Sequence, residues 1–112
     1  MAAYQASVQG DFDNFIHYIK DEILHRSSSA SLEEEIEESM GQVRCCVLAF
    51  ERYSASGGNR VSLNVTILGE EEKLKLLATA TGGSQALFFK INTWGEENFL
   101  DTLKQAVESY AY

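Results

Sequence analysis

The sequence predicts a single α+β domain over residues 1–112, in which a mainly antiparallel sheet of five to six strands carries two helices on one face. Three observations support this fold class. The chain has no proline and no Gly/Ser-rich linker, so one compact core is the simplest organisation. Several segments alternate apolar and polar residues between short turns, which predicts sequential hairpins. Two other segments repeat apolar residues at helical spacing, and their apolar faces need a surface to cover.

The first strand and the first helix are predicted near the N-terminus. Residues Ala3–Gln9 alternate loosely and end at Gly10-Asp11, a typical turn sequence. Asp11 or Asp13 can then cap a helix that is expected to end near His25. The apolar residues of this helix recur every three or four positions and form one stripe: Phe12, Phe15, Ile16, Ile19 and Ile23.

Two structures suit the acidic segment that begins at Leu32 and ends at Met40. A capping box of Ser31 and Glu34 could open a helix with Leu32, Ile36 and Met40 on one face. The same three apolar residues also share parity and could lie on one face of a strand. Because a glycine turn and a plainly extended segment follow, we favour a strand that forms a hairpin with its neighbour.

The next two strands are predicted over Val43–Tyr53 and Val61–Ile67. The first is apolar on both faces in its middle, which is typical of a strand that lies centrally in a sheet. In the second, apolar residues alternate with Ser62, Asn64 and Thr66. One face of this strand is therefore expected in the core and the other in water.

The C-terminal part is predicted to contain two strands and the second helix. A glutamate-rich turn leads to a strand over Leu74–Thr81, then to the loop Gly82-Gly83-Ser84-Gln85 and a last strand over Ala86–Ile91. Thr93 and Glu96 form a capping box that predicts the start of the helix. Its apolar face is formed by Trp94, Phe99, Leu100, Leu103, Val107 and Tyr110. The predicted order is β-α-β-β-β-β-β-α.

Two segments carry a resemblance to a known family. FERYSASGGNRVSLNVTILG (residues 50–69) and TGGSQALFFKINTWGEENFLDTL (residues 81–103) resemble a family of short uncharacterised bacterial proteins, a domain of unknown function. The likeness covers nearly the whole chain. It implies a soluble single-domain protein and supports the strand over residues 32–40, but it implies no reaction, cofactor or catalytic residue.

The element order is also similar to the helix-grip and TATA-binding-protein-like folds, in which a curved antiparallel sheet holds a C-terminal helix. Such an analogy implies nothing about function. A small-ligand version would need space between helix and sheet, and large aromatic side chains are expected to fill it: Phe88, Phe89, Trp94 and Phe99. A nucleic-acid version would need a basic surface.

Charge and composition exclude several partners. A net charge of −8, from 17 acidic and 9 basic residues, repels phosphate backbones and anionic lipids, so we expect no nucleic acid. The N-terminus lacks a signal-peptide pattern and no segment is apolar enough to span a membrane, which predicts a cytoplasmic protein. Adjacent Cys45 and Cys46 would point to opposite faces of a strand. They therefore predict two buried thiols, with no disulfide, metal or other cofactor.

Three candidate sites follow from the residues. His17, Asp21 and His25 line one helical stripe, but the two histidines lie two turns or about 12 Å apart, so we predict no metal site. The Gly82-Gly83 pair could expose backbone N–H groups to a ligand, with Ser84, Gln85 and Trp94 beside them. A hairpin turn that needs positive φ explains the glycines more simply, and the loop lacks both the Walker and the GxGxxG patterns.

The third candidate site is the wet face of the sheet. If Arg44, Phe50, Arg52 and Tyr53 share this face with Asn64, they form a mixed aromatic and cationic surface suited to a partner protein or to a second copy of the chain.

The leading prediction is therefore a non-enzymatic cytoplasmic binding or interaction module that forms a homodimer through this face or through an edge strand. The alternative is a small-ligand carrier or sensor with a pocket near the Gly82–Gln85 loop and Trp94. An enzyme built on Ser84, or on carboxylates such as Glu51 and Glu96, is less favoured, because no plausible base adjoins Ser84 and no carboxylate pair is shown to be adjacent.

Overall fold

The computed structural model describes residues 2–53, 60–82 and 89–110, and side chains are described in the last segment only from residue 99 onward. These residues form five strands and two helices in the order β-α-β-β-β-β-α, which confirms the α+β class. The elements are β1 (Ala2–Gln9), α1 (Phe12–Arg26), β2 (Ser31–Met40), β3 (Val43–Tyr53), β4 (Arg60–Glu70), β5 (Lys73–Gly82) and α2 (Phe89–Tyr110).

The five strands form one antiparallel sheet in the order β1-β5-β4-β3-β2. Strands β2 to β5 pair as sequential hairpins, as the alternating segments predict. β1 joins the sheet beside β5, so α1 must carry the chain across the sheet from the β1 edge to the β2 edge. β3 has neighbours on both sides, as its two apolar faces predict, and β4 is the middle strand.

Both helices pack on the same face of the sheet and enclose one hydrophobic core. The predicted stripe of α1 is buried throughout, and α2 contributes Phe99, Leu100, Leu103, Ala106 and Val107. The strands contribute alternate residues: Cys46, Leu48, Phe50, Val61, Leu63, Val65, Ile67, Leu74, Leu76, Ala78 and Ala80. Each large side chain buried in this way contributes about 1.5–3 kcal/mol. Phe99 is fully buried between helix and sheet, as predicted for this residue, whereas the side chains of Phe88, Phe89 and Trp94 are outside the described part of the chain.

The two helices are joined by aromatic contacts. The ring of Tyr110 lies 4.8 Å from the rings of both Phe15 and Tyr18, measured between centroids. The Tyr18 hydroxyl donates a 2.7 Å hydrogen bond to the backbone carbonyl of Ala106. This bond satisfies the polar end of a ring that otherwise packs against the core.

The start of α1 is set by its cap. The backbone N–H of Asn14 donates a 2.9 Å hydrogen bond to Oδ2 of Asp11, so Asp11 rather than Asp13 is the capping residue. At the other end, the backbone N–H of Ser27 bonds to the carbonyl of Ile23, which closes the helix after Arg26. The predicted end near His25 is therefore confirmed to within one residue.

The acidic segment is a strand, but its apolar residues do not share one face. Leu32 pairs with Phe50, whereas Glu34 pairs with Ala49, so the register shifts by one residue between them. Such a β-bulge reverses the side-chain alternation. Leu32 consequently points to the helices, while Ile36 and Met40 lie on the other face.

Two predictions at the C-terminal end are wrong. The sequence predicts a last strand over Ala86–Ile91, but Phe89 to Ile91 form the first turn of α2, and residues 86–88 lie outside the described part of the chain. The capping box at Thr93 is also incorrect, because Thr93 lies inside this 22-residue helix. A short apolar run such as ALFFKI suits a strand or a buried helix equally well, so its periodicity cannot decide between them.

Candidate functional site: the open face of the sheet

We call the side of the sheet opposite the helices the open face, because neither of the two described helices packs on it. Its residues alternate with those of the core along every strand. They are Ala3, Gln5, Ser7 and Gln9 on β1; Ser31, Glu34, Ile36, Glu38 and Met40 on β2; Val43, Cys45, Val47, Ala49, Glu51 and Tyr53 on β3; Arg60, Ser62, Asn64, Thr66, Leu68 and Glu70 on β4; and Lys73, Lys75, Leu77, Thr79 and Thr81 on β5.

The antiparallel register aligns these side chains in rows across the sheet. We name two of them. The apolar row consists of Ile36, Val47, Thr66 and Leu77, which are Cα partners from β2 to β5. The charged row consists of Glu38, Cys45, Leu68 and Lys75, two residues further along the strands. Neighbouring side chains within such a row contact one another, so each row acts as a continuous strip of surface.

Large apolar side chains are exposed on this face. Met40 is 85% exposed, Ile36 56% and Leu77 42%. Beside Met40, a surface groove of about 480 Å³ is lined by Glu38, Ser39, Met40, Val43, Cys45 and Leu68. Single exposed apolar residues need no explanation, but several on one contiguous surface are typical of an interaction site.

Charge is distributed unevenly over the open face. At the β2 edge, Glu34 and Glu38 are exposed. On the other side of the apolar residues, Lys75 on β5 is also exposed, and it ends the charged row that begins at Glu38. The β2 side of the face is therefore acidic and the β5 side, with Lys73 and Lys75, is basic, while β4 between them carries one exposed charge of each sign at its ends, Arg60 and Glu70.

The predicted aromatic and cationic surface is not assembled on the open face. Asn64 is exposed there, opposite Ala49 and Thr79, and Tyr53 also lies on this face with 57% of its surface exposed. Arg44, Phe50 and Arg52, however, have the opposite parity along β3 and point towards the helices. The prediction that they share one face with Asn64 is wrong, because the helices cover the even positions of β3.

The two arginines lie at opposite ends of the helix layer, each stacked on a core aromatic ring. The guanidinium of Arg44 lies 4.4 Å from the ring centroid of Phe12, and that of Arg52 lies 4.5 Å from the ring centroid of Phe99. Phe50 itself is fully buried between them. A guanidinium stacked in this way is attracted by the negative face of the aromatic ring. This contact explains how a charged residue can face the core, and the alternation of the sequence does not reveal it.

Arg44 also forms an ion-pair cluster that joins α1 to the β2–β3 hairpin. Its guanidinium donates to both carboxylate oxygens of Asp13, at 2.9 and 3.1 Å, and to Glu37 at 2.6 Å. The hydrogen bonds to these two carboxylates raise the pKa of Arg44. The bond from Arg44 lowers the pKa of Asp13 in turn. Lys20 makes a second link, to Glu35 at 3.0 Å.

Arg52 is held where the end of α1 meets the sheet. Its Nη1 donates a 3.1 Å hydrogen bond to the hydroxyl of Ser27, the buried residue that follows α1. Burial lowers the pKa of Arg52, because desolvation disfavours the charged form. Both arginines thus connect helix ends to the sheet.

The predicted ligand site lies largely outside the described residues. Gly82 is the last residue of β5, whereas Gly83, Ser84 and Gln85 are not described. Trp94 is in α2, and its side chain is not described either. The small-ligand hypothesis for these residues therefore stays a prediction.

The structure shows where the two cysteines and the two histidines lie. Cys46 is buried under the helices, where burial raises the pKa of its thiol to about 11. Cys45 is half-buried on the open face, and both cysteines are free. His17 and His25 are exposed on α1. Within the described ranges, no group of three or more His, Cys, Asp or Glu side chains is placed to hold a metal ion.

The apolar residues of the open face were missed as site residues, although the sequence contains a signal for one of them. In KLKLLAT, Leu77 follows Leu76 directly and breaks the alternation of β5. Ile36 and Met40 could not be assigned to this face from spacing, because the bulge after Leu32 reverses their orientation.

Together these features define a two-layer α+β protein whose single sheet has one face packed under helices and one partly apolar open face. No helix among the described residues is both long and apolar enough to cross a membrane. The chain belongs to a family of unknown function, DUF6054, whose sequence profile matches residues 1–111. This confirms the resemblance to an uncharacterised family. No curated protein and no solved structure matches the chain.

Proposed function

We propose that this protein is a non-enzymatic, cytoplasmic interaction module that binds a protein partner through the open face of its sheet. The main support for this proposal is that Ile36, Met40 and Leu77 are exposed on the same face of the sheet. Folding of the chain leaves their apolar surface in water, whereas a partner would bury it.

A partner that covers the open face would bury these three side chains. Completing the burial of a large apolar side chain contributes up to about 1.5–3 kcal/mol, so three such residues provide a substantial driving force for association. β3 supports the same conclusion, because Val43, Cys45, Val47 and Ala49 give it an apolar surface on the open face as well. Strands that are apolar on both faces are typical of sheets covered on both sides.

The described titratable groups favour binding over catalysis. Glu51, one of the carboxylates considered for an enzyme, is paired with Arg60 on the neighbouring strand. Cys46 is the most buried thiol, and its raised pKa keeps it protonated, which is unfavourable for a nucleophile.

The experiment compares two equally exposed leucines. Leu77 on the open face is 42% exposed, and Leu24 on the outer surface of α1 is 40% exposed. Each would be changed to Asp, and the wild-type and variant proteins would be purified gently from the native host. Native mass spectrometry would then give the mass of each assembly, and circular dichroism would verify that both variants fold.

We expect assemblies heavier than the 12.5 kDa chain for the wild type and for Leu24→Asp, but a bare chain for Leu77→Asp. The reason is that a carboxylate on the open face cannot be buried against a partner without a large desolvation cost. A wild-type protein that occurs only as a 12.5 kDa species, or an assembly that survives Leu77→Asp unchanged, would contradict the proposal.

A further inference from the structure

We propose that the partner on the open face is a second copy of this chain, packed face to face about a twofold axis that runs parallel to the strands between β3 and β4. This inference rests on the proposed function and adds the identity of the partner and its orientation. Twofold dimers are the commonest oligomers, and their interfaces require a surface that is complementary to itself.

The charges of the open face satisfy this requirement in one orientation. An axis along the strands between β3 and β4 exchanges β2 with β5 and β3 with β4. Because Glu38 and Lys75 belong to the same row, this rotation places Glu38 of each copy over Lys75 of the other. Two identical ion pairs result, one on each side of the axis.

The alternative orientation is electrostatically unfavourable. A twofold axis perpendicular to the strands would place β2 of one copy over β2 of the other. Glu34 and Glu38 of the two copies would then face each other, and like charges that meet at an interface oppose association. The unequal distribution of charge over the open face thus selects the axis along the strands.

The apolar residues match in the same orientation. In the apolar row, Ile36 falls over Leu77 of the other copy, and Val47 falls over Thr66. In the charged row, Cys45 falls over Leu68. The exposed side chains of Ile36 and Leu77 therefore cover each other across a separation of about 10 Å, which is the usual distance between packed sheets. Met40 lies outside the two rows, at the end of β2.

The size of the open face is sufficient for a dimer. The four strands that overlap in this orientation, β2 to β5, have 10 or 11 residues each. With a rise of about 3.3 Å per residue and a spacing of about 4.8 Å, they cover roughly 19 by 33 Å. That is about 630 Å² before side-chain relief is counted, within the range of standard interfaces, which begins at roughly 600 Å² per partner.

Pairing through the β2 edge is a less favourable way to dimerise. β2 carries five glutamates in ten residues, and two such strands side by side would repel each other. The other edge strand, β1, has no charged residue. Dimerisation through β1 is therefore the competing arrangement, and the test must distinguish it from the face-to-face dimer.

The first test is charge reversal on recombinant protein, measured by sedimentation equilibrium. The wild type is expected to dimerise at twice 12.5 kDa, or 25 kDa, in the micromolar range. Glu38→Lys alone and Lys75→Glu alone should each weaken dimerisation about tenfold or more, because each converts both ion pairs of the dimer into like-charge contacts.

Two combinations should restore association. An equimolar mixture of the two single variants should form a heterodimer, because lysine at 38 in one copy meets glutamate at 75 in the other, and the reverse contact is also opposite in sign. The double variant Glu38→Lys/Lys75→Glu should form a homodimer for the same reason. Glu108→Lys, on the exposed surface of α2, makes the same change of charge on the opposite side of the molecule and should leave dimerisation unchanged.

Zero-length carbodiimide cross-linking tests the contact directly. Within one chain, Glu38 and Lys75 are three strands apart, or about 14 Å, too far for an amide bond between their side chains. A Glu38–Lys75 cross-link between isotopically light and heavy chains is therefore expected only from the proposed dimer.

The outcomes separate this inference from the proposed function. A recombinant chain that stays at 12.5 kDa overturns the inference, while the proposed function stands if the assembly from the host is still lost on Leu77→Asp. A dimer that is insensitive to both single charge reversals also overturns it and indicates the β1 edge. A dimer insensitive to Leu77→Asp as well overturns both proposals.

Discussion

The two faces of the sheet consist of alternating residues of the same strands, and they differ in what they contact. Leu76 and Leu77 are neighbours on β5, yet Leu76 is fully buried under the helices and Leu77 is 42% exposed on the open face. The two cysteines on β3 are divided in the same way, with Cys46 in the core and Cys45 opposite.

Apolar residues of the same strand thus lie in two different environments. On the helix-covered face they are enclosed by α1 and α2, and two arginines stack on aromatic rings where the helix ends meet the sheet. On the open face the apolar residues are flanked by opposite charges and contact no described helix. Folding of the chain therefore accounts for the burial of the first set and leaves part of the second set exposed.

The largest expected difference between the faces is the reactivity of the two thiols. With a pKa raised to about 11, Cys46 is about one-thousandth thiolate at pH 8, and its burial slows access further. We expect iodoacetamide to alkylate Cys45 at least about 100-fold faster than Cys46. Mass spectrometry of the single-thiol variants Cys45→Ser and Cys46→Ser would measure both rates.

Equal rates for the two thiols would contradict the assignment of the faces. The same measurement also bears on the dimer. Because Cys45 lies inside the proposed interface, its alkylation rate should fall as the protein concentration rises, whereas that of Cys46 should not change.

The second prediction concerns the adjacent leucines. Leu76→Ala should reduce the free energy of unfolding by about 2–5 kcal/mol, because it leaves a cavity in a packed core. Leu77→Ala should cost less than about 1 kcal/mol at protein concentrations low enough for a monomer. Urea denaturation would measure both values. Similar losses for the two variants in the monomer would show that the open face is covered within the chain.

The third prediction concerns the close approach of α1 to β4. A Cβ atom on Gly69 would lie 2.5 Å from Cδ1 of Phe12 and 3.1 Å from Cδ2 of Leu74. Gly69→Ala should therefore destabilise the protein by about 1–3 kcal/mol, since Phe12 must move. Chemical denaturation would measure the loss. The double variant Gly69→Ala/Phe12→Leu should lose less than the sum of the single variants, and strict additivity would argue against this contact.

The smallest expected effect is the pH dependence of the ion-pair cluster. Hydrogen bonding from Arg44 lowers the pKa of Asp13 below its ordinary 3.8, so the contact stabilises the fold above that pH and is lost as the pH falls through the folded-state value. Asp13→Asn should lower the melting temperature at neutral pH and make its decline in acid shallower. Identical acid dependence in the two proteins would exclude a contribution from this cluster.

Several elements could be predicted from the sequence because local patterns determine them. The stripe from Phe12 to Ile23 and the cap at Asp11 specify α1, and the strict alternation from Val61 to Ile67 specifies β4. Such patterns depend only on the helical and strand periods, so they do not require knowledge of the rest of the fold.

The sequence by itself thus determined the fold class, the hairpin order and most of the core of this protein. Only the tertiary structure decided which residues form the site. The register shift after Leu32 places Ile36 and Met40 on the open face. Arg44 and Arg52 lie on the helix-covered face, where they stack on the rings of Phe12 and Phe99. The physical reason is that strand alternation separates two faces, whereas contacts between distant segments decide which face is covered.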